Sequence, residues 1–199
     1  MGSLERMAGR RQFDEKQALE QVLDVFWHQG YGATSMADLA TATGVQRGSL
    51  YNAYHDKEAL FLRVFKDYEV AFVADAVARL AHPDPRQALL DFFDFTIESM
   101  TAGTPARGCL TTKTATDTRA GTEPIRGALR GMLDGLEHVL ADRLSQDDAV
   151  DRLAVPPLEA ARVLVTMTRG NVVMESVYQD PSRLRAAAKS LVDMIVRAD

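Results

Sequence analysis

The sequence predicts an all-α protein, and three observations carry that reading. Apolar residues recur at helical spacing over most of the 199 positions, no run alternates with the period of two of a half-buried strand, and the interruptions fall at Gly, Pro and capping residues. A hydrophobic content of 46% is enough to build a packed core at this length. About nine helices account for the pattern. They divide into an N-terminal three-helix helix-turn-helix domain over residues 10–65 and a C-terminal helical bundle over residues 66–199, joined by one long helix.

Asp14 with Gln17 three residues later makes a capping-box pattern, and Leu19, Val22, Leu23 and Phe26 carry a first helix to Gly30. Ser35 and Asp38 repeat the capping signal ahead of Met36, Leu39 and Ala40, so a second helix of about two turns ends near Gly44. Val45, Leu50 and Tyr54 form the apolar side of a third helix that closes before His55. Asp56 caps a fourth, in which Leu60, Phe61, Val64, Phe65, Tyr68 and Phe72 keep the period as far as Ala81. Its length of about 25 residues exceeds the usual globular helix and suits a connector between domains.

The stretch His82-Pro83-Asp84 breaks the chain, and Pro85 opens a fifth helix through Leu89, Phe92, Phe93, Ile97 and Met100. Residues 101–107 read as a loop, 108–118 as a short Thr-rich helix, and Pro124 opens a longer helix through Leu144. An acidic connection over 146–151 and the Pro156-Pro157 pair precede the last two helices, 158–179 and 181–197. The first of these is apolar on more than one side, the pattern of a helix covered by its own bundle on one face and by a second subunit on another.

Composition narrows the function. The charged fraction of 26%, the net charge of -5 and the lack of any apolar run near the roughly 18 residues of a membrane span predict a cytoplasmic chain with no membrane partner. Residues 1–12 are charged and lack an apolar signal core, and residues 1–6, ahead of Met7, are either a non-native remnant or an upstream start and are set aside. The single cysteine, Cys109, excludes an intramolecular disulfide. The four histidines have no metal spacing, no cofactor motif occurs, and no nucleophile, base and orienting group cluster, so neither a metal site nor an enzyme is expected. Over residues 1–70 acidic side chains outnumber basic ones, ten to eight, which argues mildly against nucleic acid. Placement outweighs the sum. Arg10, Arg11, Arg47 and Lys57 stand on the N-terminal arm, the third helix and the start of the fourth, and phosphate contacts act within a Debye length of roughly 8 to 10 Å.

The stretch 34–57, TSMADLATATGVQRGSLYNAYHDK, has the spacing of two short helices crossing at a Gly-containing turn, a device for entering a DNA groove. Ala40 supplies the small residue where the helices touch, Gly44 the turn, and Val45 and Leu50 the apolar pins of the second motif helix. In its wider setting, with RRQFD at 10–14, VFWHQGYGATSMADLA, GVQRGSLYNAY and DKEALF, the region from Arg10 to about Phe65 resembles the N-terminal domain of the TetR-type transcriptional regulators. RGCL at 107–110 and DPSRLRA at 180–186 resemble the ligand-domain sequence of one branch of that family.

That resemblance implies a homodimeric, ligand-responsive repressor with DNA contacts at Thr34, Gln46, Arg47, Gly48, Ser49, Tyr51, Asn52, Tyr54 and Lys57. Gln46, Arg47 and Asn52 are suited to base edges, Thr34, Ser49, Tyr51 and Lys57 to phosphates, and Gly48 leaves room for close approach. Ala53, Tyr54 and His55 depart from the commoner family residues at the end of that helix. The expected partners are double-stranded operator DNA, a second copy through the last two helices, and a small-molecule effector. Phe92, Phe95, Met100, Met132, Met167 and Met174 are candidate lining for the effector pocket, with simple core as the plainer reading. Arg162, Arg169, Asn171 and Glu175 interrupt the apolar helix and require partners. Cys109 is a candidate redox thiol if a cation such as Arg107 lowers its pKa. A helical carrier or partner-binding module without DNA binding is the alternative from another class.

Overall fold

The computed structural model describes residues 3–197, with side chains from Glu15 onward. The described residues form ten α-helices: α1 Ser3–Gln29, α2 Met36–Thr43, α3 Arg47–Tyr54, α4 Lys57–Arg79, α5 Pro85–Thr101, α6 Leu110–Ala115, α7 Glu123–Leu144, α8 Asp147–Val150, α9 Pro157–Tyr178 and α10 Pro181–Ile195. A 3-10 turn occupies Thr118–Ala120, and no strand occurs among the described residues beyond one isolated bridge, Leu153 to Val196. Two compact units result. The first comprises the chain up to Tyr68 together with Lys113–Ala128, and the second comprises Glu69–Thr112 and the chain from Leu129. The divisions fall inside α4, α6 and α7.

Two expectations need correction. The backbone is already helical at Asp14, so the Asp14 and Gln17 pattern marks no helix start; between Arg10 and Phe26 there is neither Gly nor Pro to stop a helix, and its side chains are mostly good helix formers. The acidic connection contains a one-turn helix, α8, with Asp147 and Asp148 in its first turn, where negative charge complements the helix N-terminus.

In the first unit, local signals set the corners. Ser35 caps α2, its Oγ accepting from the Asp38 N–H at 3.2 Å while Asp38 Oδ2 accepts from the Ser35 N–H at 2.8 Å. Gly44 ends α2 at φ 65°, a left-handed conformation that costs glycine nothing sterically. The buried side of α3 is Leu50, 3% exposed. His55 closes α3 at φ 65° and ψ -55°, with the Asp56 N–H donating to the Tyr54 carbonyl at 2.8 Å. That is a strained γ-turn, costing on the order of 1–3 kcal/mol for a side chain other than glycine. Asp56 then caps α4, accepting from the Ala59 N–H at 2.8 Å. Beneath these corners Phe26 and Tyr31 both meet Phe61 at 5.2 Å between ring centroids, and Trp27 meets Tyr68 edge-on at 5.0 Å. Trp27 is thus core.

In the second unit, Asp84 caps α5 by accepting from the Gln87 N–H at 3.0 Å, with Pro85 in the first helical position. Helices α5, α9 and α10 pack on one another, Ile97, Met100 and Leu184 forming a buried cluster against Val172. Arg143 is 7% exposed, and its guanidinium donates to the carbonyls of Leu80, His82 and Pro83 and to the carboxylate of Asp148. It holds the turn that follows α4, whose last residue is Arg79. Buried Ala160, Leu164, Thr168, Asn171 and Glu175 make one face of α9, while Val163, Met174 and Val177 on other faces stand exposed, as does Met194 on α10.

Candidate nucleic-acid interface

The outward side of α3 is built by subtraction. Leu50 is the only fully buried residue of this eight-residue helix, and Tyr54 is half-buried, so Arg47, Gly48, Ser49, Tyr51, Asn52 and the short Ala53 are left facing solvent with Gln46 at the N-cap. Gln46 makes no side-chain capping bond. Arg47 lies over the Tyr51 ring, 5.4 Å from its centroid, and donates to the Tyr51 hydroxyl at 3.3 Å. This i, i+4 pair holds a planar donor fork outward, the geometry that reads guanine bidentately.

Three of the nine expected contact residues are placed differently. The Thr34 side chain is buried, 2% exposed, and its hydroxyl donates to the Gly30 carbonyl at 2.7 Å. Lys57 donates from Nζ to the carbonyls of Tyr31 and Thr34, each at 2.9 Å, and sits 4.2 Å from the Tyr31 ring centroid. Burial pulls its pKa below the ordinary lysine value, opposed by Asp117 and aided by Arg119. Tyr54 donates its hydroxyl to Glu15 at 2.9 Å, and burial followed by the Glu15 carboxylate pushes its pKa up to about 12. The six residues from Gln46 to Asn52 other than Leu50 therefore form one exposed set, while Thr34, Tyr54 and Lys57 tie its frame together. Arg10 and Arg11, expected on an N-terminal arm, have side chains outside the described residues.

The sequence gives no local signal for a further group at this frame. Lys113 Nζ donates to the Trp27 carbonyl at the end of α1, Asp117 Oδ2 accepts from the Gly32 N–H at 2.6 Å, and Arg119 donates to the Gly32 carbonyl at 3.1 Å. Some 85 positions separate these partners, so no pattern at short range announces them.

The six candidate pocket residues differ in their surroundings. Phe92 and Met132 are fully buried and Met100 is 4% exposed, all within core; Met132 Sδ accepts from the Thr111 hydroxyl, and Phe95 packs on Phe72 at 4.9 Å. Met167 borders an open groove with Arg162, Val163 and Leu191, and Met174 is 40% exposed. Nearby, Cys109 is held by a cation, but not the expected one. Arg107 donates to the Ser99 carbonyl and hydroxyl, whereas Arg169 of α9 donates to Cys109 Sγ at 3.2 Å. Burial pushes the Cys109 thiol up, and the Arg169 charge together with the N–H groups of Thr111 and Thr112 and the Thr112 hydroxyl outweighs it, leaving the pKa below the ordinary thiol value. Sequence proximity favoured Arg107; the fold brings Arg169, which lies 60 positions away. Among the described residues no His, Cys, Asp and Glu cluster could hold a metal ion, and no helix is long and apolar enough to cross a membrane.

Comparison with known proteins agrees with this geometry. Residues 18–64 match the model of the tetR family of bacterial regulatory proteins, and residues 85–190 match the C-terminal domain of LmrA/YxaF-like transcriptional regulators. The chain is similar to the HTH-type transcriptional repressor ComR of Escherichia coli K12, 32% identical over 147 residues that cover 73% of this chain and 69% of that one. Among solved structures, the regulator CifR in a cysteine-mutant form complexed with 26-bp double-strand operator DNA is 26% identical, with a TM-score of 0.78 over 88% of this chain and 93% of that one. The reduced form of E. coli NemR shares the fold, with a TM-score of 0.83 at 18% identity over 93% of this chain and 98% of that one.

Proposed function

The chain belongs to the TetR family of bacterial DNA-binding transcriptional regulators, which are not enzymes, and from that premise we propose that this member is a homodimeric repressor released from its operator by a small-molecule effector. The observation that carries the reading is the exposed side of α3, where Gln46, Arg47, Gly48, Ser49, Tyr51 and Asn52 project from a helix pinned by Leu50 and framed by Thr34, Tyr54 and Lys57. Gln46, Arg47 and Asn52 take base edges, Ser49 and Tyr51 take phosphates, and Gly48 admits the groove wall. Thr34 and Lys57 act through the corner they close, and Lys57 adds positive charge beside the backbone.

DNA binding is assigned to residues 10–65, and effector binding and dimerisation to residues 66–199. Two copies of α3 then occupy successive major grooves about 34 Å apart on a near-palindromic site, with the subunits joined through α9 and α10. The exposed apolar residues of those helices, Val163, Met174, Val177 and Met194 among them, support this assignment, and Met167 and Met174 go to it rather than to the effector. Phe92, Phe95, Met100 and Met132 remain the candidates for effector contact. The compartment of such a protein is the cytoplasm, where its operator is.

A second reading, regulation through Cys109, is favoured by one observation, the Arg169 guanidinium on its sulfur. Alkylation turns the sulfur into a bulkier thioether that cannot ionise and oxidation adds oxygen atoms to it, and either change rearranges the contact with the half-buried Arg169 guanidinium. The test of the main reading is a gel shift with DNA from upstream of the chain's own gene. Binding that weakens steeply with salt and is restricted to a near-palindrome is expected; absence of binding at low salt favours the helical carrier instead.

A further inference from the structure

The helix-turn-helix frame is completed by residues far outside the 18–64 segment that the family pattern covers. Helix α1 ends at Gln29, and its last carbonyls point away from the helix with no partners inside it. Lys113 supplies one of the missing donors at Trp27, placing a cation where the helix dipole is negative. Two residues beyond the end of α6, Asp117 takes the Gly32 N–H and Arg119 the Gly32 carbonyl, so both polar groups of that one peptide position are held from the same short segment. Lys57 takes the neighbouring carbonyls of Tyr31 and Thr34 and lies within electrostatic reach of Asp117. Turn 30–34 carries the chain from α1 into the cap of α2, and α3 is mounted on α2 through Gly44.

We propose that Lys113, Asp117 and Arg119 are positioning residues of the DNA-binding unit, a polar clamp that fixes the 30–34 turn and through it the aim of α3. None of the three needs to touch DNA. The fit at Gly32 is specific to this arrangement: a Cβ added there would stand 2.5 Å from Asp117 Oδ2, closer than any tolerated contact, so an alanine displaces the carboxylate and breaks the same bond from the other side. Gly32→Ala and Asp117→Ala therefore share the loss of the Gly32 bond, Asp117→Ala also losing the cap on the Arg119 N–H, so the double variant adds nothing to Asp117→Ala. Asp117→Asn keeps one acceptor oxygen, enough for the Gly32 N–H, and gives up the charge and the second acceptor, which takes the Arg119 N–H at 2.9 Å.

The proposal rests on the reading of α3 as the DNA-contacting helix, and the experiment separates the two. Amide exchange is followed at residues 30–34 in the full chain, and operator affinity is followed by anisotropy with a labelled duplex of the upstream DNA and an unrelated duplex of equal length. Expected are faster exchange at Gly32 and about a tenfold loss on the upstream duplex for Asp117→Ala and Gly32→Ala, no greater loss in the double variant than in Asp117→Ala, an effect of Asp117→Asn between those of Asp117→Ala and wild type, and little change on the unrelated duplex. A thermal melt confirms that each variant is folded at the assay temperature. Unchanged exchange, unchanged operator affinity, or additive losses in the double variant would each overturn the clamp. A wild-type chain that binds neither duplex would overturn the DNA reading and with it the positioning role, even if exchange at Gly32 responds as expected.

Discussion

Cys109 shows how a single side chain acquires chemistry from its surroundings. At 9% exposure it is a small buried hydrophobe by location, yet the Arg169 guanidinium and two N–H groups at the start of α6 favour its anionic form. The thiolate is the reacting species, so the pH profile of alkylation reports the balance. With iodoacetamide the midpoint should fall below that of a free thiol, and Arg169→Ala should move it upward, whereas Arg107→Ala should leave it in place. Restricted reagent access slows the reaction at every pH without moving the midpoint. An unchanged midpoint in Arg169→Ala would remove the basis for regulation through this residue.

The elements divide by the range of the forces that end them. The turn after α4 is held by Arg143, whose removal orphans the buried Leu80 carbonyl and frees those of His82 and Pro83. Arg143→Ala should lower stability by about 2–3 kcal/mol in a thermal melt. Arg126→Ala, which deletes an exposed i, i+3 pair with Glu123, should cost no more than about 0.5 kcal/mol. Caps made by neighbours were legible in the sequence: Ser35 with Asp38, Gly44, Asp56, and Asp84 before Pro85 all stand where their spacing put them. Asp14 misled because a capping pattern also occurs inside continuous helices, and α8 was missed because one turn carries too little periodicity. The clamp at Gly32 and the choice of Arg169 over Arg107 were illegible, since both depend on partners brought together over tens of positions. The exposed side of α3 lay between, readable because Val45, Leu50 and the Gly44 turn fix which residues remain outside.

At the scale of the whole molecule, a mildly acidic protein binds DNA through a few placed groups, and one motif unit alone supplies little affinity. The proposed pairing of two copies through α9 and α10 would add the second half-site as an intramolecular contact. Val177 and Met194, 68% and 67% exposed, should therefore tolerate charge in a monomer but not in a dimer. The double variant Val177→Glu and Met194→Glu should sediment as a folded monomer and lose operator binding at physiological salt. A variant that remains dimeric would move the interface elsewhere. The most direct test of the central claim, that α3 reads the operator, is an anisotropy titration of wild type and Arg47→Ala against the upstream duplex and its single-base variants. Arg47→Ala should lose about 1–3 kcal/mol on the upstream site and relax its preference at one base pair in each half-site. Equal affinity and unchanged base preference in the two proteins would contradict it.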